Sequence, residues 1–412
     1  MVRERYTEII RQVAVNVSGS TIDSVRRKDI TRTGFRVYSD GLIGTAGAIG
    51  IFDEPMLWEK AEKALERGVE YPFGLSPERR QSLDSTRIQL QAGEFLEEAE
   101  ALVEGLIGMA PGLLFTNKVL LSVYRRSLHN DLGLDLENVY DELSVDLMFK
   151  QKGSSGILDG FLIPSSMARY DRSLLLEEYG SFCEAFSTPV DLPEGRKLPV
   201  MLTRENWSMP LRKLYTDLSG LSIGSGASLL SGRIGEKVFS EGLTLLQCSD
   251  PKRGCGPFFD MEGVVNEGFT LPLVDEGVVR TAFTDKRTAE RFGLPLTGAA
   301  GGAFDGVPCL SLPGLVPDSS DRTASELLRG DPGVLIVFAA GGEFKPDGAF
   351  ATPVQLAMLH DGSRLLGRLP ELRVSSHLFR IFGDDFRGVS CDSASALTDD
   401  GFMIFDADVE RA

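Results

Sequence analysis

At 412 residues, with 42% hydrophobic and 25% charged side chains, the chain has the make-up of a soluble globular protein with two or three separate cores. Its 60 Asp and Glu against 43 Lys and Arg leave a net charge of −17, which argues against a nucleic-acid surface built on clustered cations. The charged opening "MVRERYTEIIRQV" holds no signal-peptide core, and the longest apolar run, "GVLIVFAAGG" (Gly333–Gly342), is about half a membrane span and reads as a buried strand. These features, with five cysteines and no CxxC pair, lead us to expect a cytoplasmic protein with no membrane contact.

In chain order, residues 4–13 read as a short helix. The segment "TIDSVRRKDITRTGFRVYSDGLIGTAGA" then alternates apolar and polar residues, predicting strands at Ile22–Arg27, Gly34–Tyr38 and Leu42–Ala46 with a hairpin turn at Asp40-Gly41. Next comes an amphipathic helix with Asp53 as N-cap, Pro55 in its first turn, and Leu57, Ala61, Ala64 and Leu65 on one face. Pro72–Arg87 reads as loop. "AGEFLEEAEALVEGLIGMAPG" gives a second helix with Phe95, Ala99, Leu102, Val103 and Leu106 as its buried stripe. Strands dominate from Leu114 to Ile163, and a third helix spans Asp171–Ala185.

The Pro-rich "STPVDLPEGRKLPV" (Ser187–Val200) is the clearest linker. The expected organisation is therefore an α+β domain at 1–110, a strand-rich middle segment at 111–190 packing with it, and a mostly antiparallel β-rich domain at 196–412. Within the last, "FFDMEGVVNEGFTLPLVDEGVVRTAF" carries Asp260, Glu262, Glu267, Asp275 and Glu276. We read it as a hairpin, Phe269–Val274 and Val278–Phe283 joined at Asp275-Glu276-Gly277, with its acids at solvated turns rather than in a catalytic cluster. The three histidines, His129, His360 and His377, form no recognisable metal pattern.

Several ordered motifs resemble the TldD/PmbA family: Asp260–Gly263, Glu276–Val279, Ala289–Gly293 and the Gly-rich loop Gly298–Gly302, with "SLLSGRIGEKVFSEGLTLLQCSDP" upstream and the opening "SVRRKDITRTGFRVYSDGLIGTAGA". The resemblance implies a cytoplasmic protein of the protease and peptide-maturation class, also described as modulators of DNA gyrase. Its metal-bearing members carry HExxxH on a helix and a cysteine near the C-terminus, so that two His and a thiolate hold Zn²⁺ while the Glu acts as general base. Here the corresponding window is "LRKLYT", with Leu211, Arg212 and Thr216 where the ligands and base would stand. Cys391 in "FRGVSCDS" is a remnant of the metal site at most. The family's "N-P-x-T-G-D-F-S" becomes "FKPDGAFA" (Phe344–Ala351).

The expectation is thus a PmbA-like, metal-free subunit with no cofactor and no catalytic residue of its own. It would act on peptide or unfolded protein, in a heterodimer with a metal-bearing TldD-like chain or in a homodimer. Gly301, Gly302, Gly341 and Gly342 are the candidate peptide groove, since a backbone without Cβ atoms allows close approach. Two alternatives stand beside it: a non-enzymatic peptide-binding protein, and a metal-independent hydrolase using Cys391, with His377 as the imidazole nearest in sequence.

Overall fold

The computed structural model describes residues 1–88, 90 and 93–412, so Ala92, the first residue of the second expected helix, lies outside the described residues. The N-terminal part contains β1 (Val2–Ser18), β2 (Thr21–Ser39), β3 (Leu42–Ile49), α1 (Glu54–Ala64), β4 (Arg79–Asp84), α2 (Phe95–Met109), β5 (Leu113–Asn130) and β6 (Leu134–Gln151). Short strands β7 (Gly160–Phe161) and β8 (Ser166–Met167) follow, then α3 (Arg172–Phe186). The strands form one sheet in the order β3-β2-β1-β5-β6-β4, with β7 and β8 also on β6. Segments 1–110 and 111–190 therefore share a sheet, joined where β1 pairs with β5 over Glu4–Val17.

The helix expected at residues 4–13 is instead the middle of β1. Along it Glu4, Tyr6, Glu8 and Ile10 are buried in strict alternation, a strand period disguised because two of the inward residues are acids. Those acids are matched by cations from the neighbouring strands: Arg36 Nη1 donates to Glu4 Oε1 at 3.1 Å, and Arg32 and Arg126 flank Glu8. The strands expected at Ile22–Arg27 and Gly34–Tyr38 are one continuous β2, and part of the expected loop Pro72–Arg87 is β4, held parallel to β6. Local pattern holds where the element is self-contained. Helix α1 has the Asp53 carboxylate accepting from Met56 N at 3.2 Å, and α2 buries the expected five-residue stripe.

The second half comprises β9 (Lys197–Leu202), α4 (Arg204–Asp217), α5 (Gly220–Gly224), β10 (Leu245–Cys248), β11 (Thr270–Asp275), β12 (Val278–Val279) and α6 (Lys286–Phe292). It continues through β13 (Ala300–Gly301), β14 (Cys309–Leu310), β15 (Leu315–Pro317), α7 (Ala324–Leu328), β16 (Gly333–Ala339), β17 (Glu343–Phe344) and β18 (Ala349–His360). The chain closes with β19 (Leu365–Arg368), β20 (Leu372–His377), α8 (Leu378–Ile381), β21 (Phe386–Ser393) and β22 (Gly401–Arg411). The main sheet runs β16-β9-β22-β20-β18-β17, and a further β16–β18 pairing closes it on itself. All its pairings are antiparallel except β9 with β16, so the mixed α+β class with a mostly antiparallel second half is observed.

Alternation in these strands feeds two cores. Val200, Leu202, Val334, Ile336, Met403 and Phe405 pack on one side, with Leu211 and Leu214 of α4. Met201, Leu335, Val337, Phe402 and Ile404 face the other way and share a core with Phe95, Leu102 and Leu106 of α2 and Phe182 and Phe186 of α3. The N-terminal helices are thus packed onto the C-terminal sheet. Between them, residues 188–190 run beside β19, with Val190 N donating to Arg368 O at 2.9 Å and Arg368 N to Thr188 O at 2.8 Å.

Candidate functional site

The hairpin of acids folds differently from its sequence reading. Strand β12 is only Val278–Val279, and Glu276 (φ 48°) and Gly277 (φ 78°) make the expected tight turn. Glu267 and Glu276 are exposed, and Asp275 pairs with Arg280 at 2.8 Å. Asp260 and Glu262, expected at a solvated turn, are buried. The reason is tertiary: Phe258, Phe259 and Met261 pack against Tyr6, Leu128, Leu134 and Leu136 of the N-terminal sheet.

Asp260 Oδ1 accepts from the backbone N–H of Glu262 (2.9 Å) and Val264 (2.8 Å), and Oδ2 from Ala300 (3.0 Å). Burial, and then the nearby Glu262 charge, push its carboxyl up to about 7. Glu262 takes the Tyr71 hydroxyl at 2.5 Å and the Lys286 N–H at 2.9 Å, while Arg36 Nη1 donates to Met261 O at 2.7 Å. Tyr71 and Arg36 join the two halves of the molecule, the Glu262 and Val264 N–H groups close the Asp260 turn, and the Ala300 and Lys286 N–H groups tie it to later segments of the second half. The acids are structural.

Helix α4 forms as expected, with Leu211, Leu214 and Leu218 buried. Of the window residues, Leu211 is in the core while Arg212 and Thr216 are exposed. The polar pair inside this helix is Lys213–Asp217, Nζ to Oδ2 at 2.7 Å, and Asp217 Oδ1 also accepts from Leu229 N at 3.3 Å. That pair is a cation and its counter-charge. It offers no set of electron-pair donors for a metal, and no group of three or more His, Cys, Asp or Glu side chains suited to one occurs among the described residues. The side chains of this helix do not fit the zinc that the family's metal-bearing members are expected to hold.

Cys391 is exposed on β21, where its N–H donates to Arg322 O at 2.8 Å. His377 is engaged elsewhere: its Nδ1 accepts from Phe379 N at 3.3 Å as the cap of α8, and its Nε2 lies 3.0 Å from Asp347 O. The structure does not bring the two together. Gly301 sits in the β13–β14 pair opposite Cys309, and Gly302 (φ 127°) follows it. Gly341 (φ 90°) and Gly342 precede β17, and a Cβ on Gly342 would lie 2.3 Å from that of Thr352.

A cleft of about 500 Å³ opens at the N-terminus of α4, between β6, the segment after β4, the β10–β11 connection and the turn before β22. None of the four candidate glycines lines it. Its walls are polar and cross-braced. The Asp141 carboxylate accepts from the backbone N–H of Arg87 (2.8 Å) and Ile88 (2.9 Å). Arg87 reaches Asp399 and the Lys252 carbonyl, both at 2.5 Å, and Arg169 joins Asp399 from the other side at 2.7 Å.

Arg204, the first residue of α4, grips both oxygens of Asp400 at 2.8 Å and donates to Arg253 O at 2.6 Å. The paired arginines hold the Asp399 carboxyl below its ordinary range, whereas burial and nearby Asp146 raise that of Glu142, which opens into the cleft. Thr203, the N-cap, is buried, and its hydroxyl has no hydrogen-bond partner. Sequence reading missed this site because "RE", "KR" and "DD" at 204–205, 252–253 and 399–400 look like ordinary surface charge, and nothing local marks residues that far apart as neighbours.

Residues 195–397 match the family model for the PmbA/TldA metallopeptidase C-terminal domain. The fold is similar over its whole length to the crystal structure of TldE from Thermococcus kodakarensis, with TM-score 0.79, 17% identity, and 100% and 97% of the two chains covered. A structure from Thermotoga maritima described as a modulator of a DNA gyrase aligns with TM-score 0.75 at 16% identity, covering 99% and 96%. A protein of Methanocaldococcus jannaschii is 24% identical over 73% of this chain and 71% of its own. An Archaeoglobus fulgidus protein named a metalloprotease is 30% identical over 38% of this chain and 36% of its own. The matching region and the shared architecture define an α+β protein of the metallopeptidase-related class. The chain belongs to the TldD/PmbA family.

Proposed function

We propose that this chain is the metal-free subunit of a two-chain TldD/PmbA-type peptidase, pairing with a metal-bearing TldD-like chain to process peptides or unfolded protein. The observation that carries the reading is helix α4, whose window holds Leu211, Arg212 and Thr216 and whose interior polar pair is Lys213–Asp217. A catalytic zinc needs three protein ligands and an open position, and the Leu211–Thr216 window supplies none. The five cysteines are all free thiols, in keeping with a reducing, cytoplasmic setting, and no helix among the described residues is long and apolar enough to cross a membrane.

The test is cleavage of an unstructured peptide by this chain alone, by a metal-bearing family member from the same organism alone, and by their mixture. Cleavage by the mixture that chelation abolishes, with none from this chain alone, is the expected result. Chelator-resistant cleavage by this chain alone, lost in Cys391→Ala, would replace the proposal with the thiol-hydrolase reading.

A further inference from the structure

The proposed function leaves a second cavity, of about 600 Å³, unused. It lies between α3 and the β18–β19 hairpin, with Phe182, Leu335, Leu365 and Phe402 in its apolar lining. Thr203, whose buried hydroxyl has no partner, stands in its wall as well as in that of the α4 cleft. His360, the last residue of β18, lines the cavity while only 6% exposed. Its Nδ1 accepts from Gly362 N at 2.9 Å, so the ring proton sits on Nε2, and Nε2 makes no hydrogen bond. Burial lowers the pKa of this imidazole against the pull of Asp361 and Asp392, which keeps the ring neutral.

The charges around that donor are uneven. Glu177 and Glu184, seven residues apart and so on one side of α3, both line the cavity. Among the described residues, neither carboxylate has a hydrogen-bond or ion-pair partner. Glu178 is committed, its carboxylate accepting from Ser395 Oγ at 2.6 Å and Ala396 N at 3.0 Å. Arg364, the cation in the lining, is held beside Asp361 at 3.5 Å. Two negative charges are left uncommitted.

We propose that this cavity binds a basic residue of a peptide, with the ammonium or guanidinium group at Glu177 and Glu184, the aliphatic stem on Leu365 and Phe402, and a peptide carbonyl accepting from His360 Nε2–H. An apolar lining, a buried neutral donor and two free carboxylates complement a chain that carries carbonyl oxygens and a cation on an apolar stem. An anion would meet the two carboxylates, and a wholly apolar ligand would leave the His360 donor unmet. The choice of a peptide rests on the proposed function, whereas the preference for a cation rests on the cavity alone.

The experiment follows the ring signals of the three histidines by NMR, in the isotope-labelled full chain, during titration with acetyl-Leu-Lys-Leu-amide. His129→Gln and His377→Gln assign the signals. The expected result is a saturable shift of the His360 signal while those of His129 and His377 stay in place. Replacing the peptide's Lys by Gln should weaken binding about fivefold, and replacing it by Glu should weaken it further. The double variant Glu177→Gln with Glu184→Gln, altered only at exposed residues, should bind the Lys and Gln peptides alike. No saturable shift of His360, equal affinity for the three peptides, or a double variant that keeps the preference for Lys overturns the proposal. The titration uses this chain without partner or metal, so its failure and the failure of the two-chain cleavage assay are separate results.

Discussion

Asp260→Asn is the substitution whose consequence can be worked out most fully. In the folded chain the Asp260 carboxyl, 8% exposed, sits at about 7 against a reference of 3.8. Between those values the folded state binds a proton that the unfolded chain does not, so stability from this group is present at low pH and lost as pH rises towards 7. At 1.36 kcal/mol per pH unit of separation the full effect is about 4 kcal/mol, of which about 2.5 kcal/mol falls between pH 5 and pH 8.

Asparagine keeps an oxygen for the N–H groups of Glu262 and Val264 but turns an amide NH₂ toward the Ala300 N–H, costing about 1–3 kcal/mol at any pH. Urea unfolding of both proteins at pH 5 and pH 8 separates the terms. The wild type should lose about 2.5 kcal/mol more than the variant on going to pH 8. Equal pH dependence in the two proteins would refute the assignment of a buried, titrating carboxyl.

Three further outcomes follow from packing. Arg36→Met leaves Glu4 buried and unpaired, since both side chains are 0% exposed; it should cost about 3–5 kcal/mol by urea unfolding, and Glu4→Leu added to it should recover much of the loss. Gly277→Ala places a Cβ at φ 78° and 2.3 Å from Phe239 O, so a loss of at least about 1–2 kcal/mol is expected by the same measurement. Leu214→Ala opens the core beneath α4 and should cost about 2–5 kcal/mol while leaving association with a partner chain measurable by sedimentation.

How far the sequence was legible depended on whether an element stabilises itself. Helices α1 and α2 carry their own cap or apolar stripe, and they appear where their periodicity puts them. Strand β1 defeated the same logic because its inward Glu4 and Glu8 are paid for by Arg36, Arg32 and Arg126, which only the folded sheet supplies. The buried state of Asp260 and Glu262 is likewise a consequence of the N-terminal sheet that covers them. That α4 is a helix carrying Leu211, Arg212 and Thr216 was readable from the residues themselves. The cleft was not, because Arg87, Arg204 and Asp399 meet only through tertiary contacts across more than 300 residues of chain.

The subunit reading is tested most directly by native mass spectrometry of this chain mixed with a metal-bearing family member from the same organism, after zinc is supplied. The expected species is a one-to-one heterodimer carrying a single zinc ion that stays with the partner when the chains are separated. A zinc ion retained stoichiometrically by this chain alone, or no complex with the partner at any concentration tried, would contradict it.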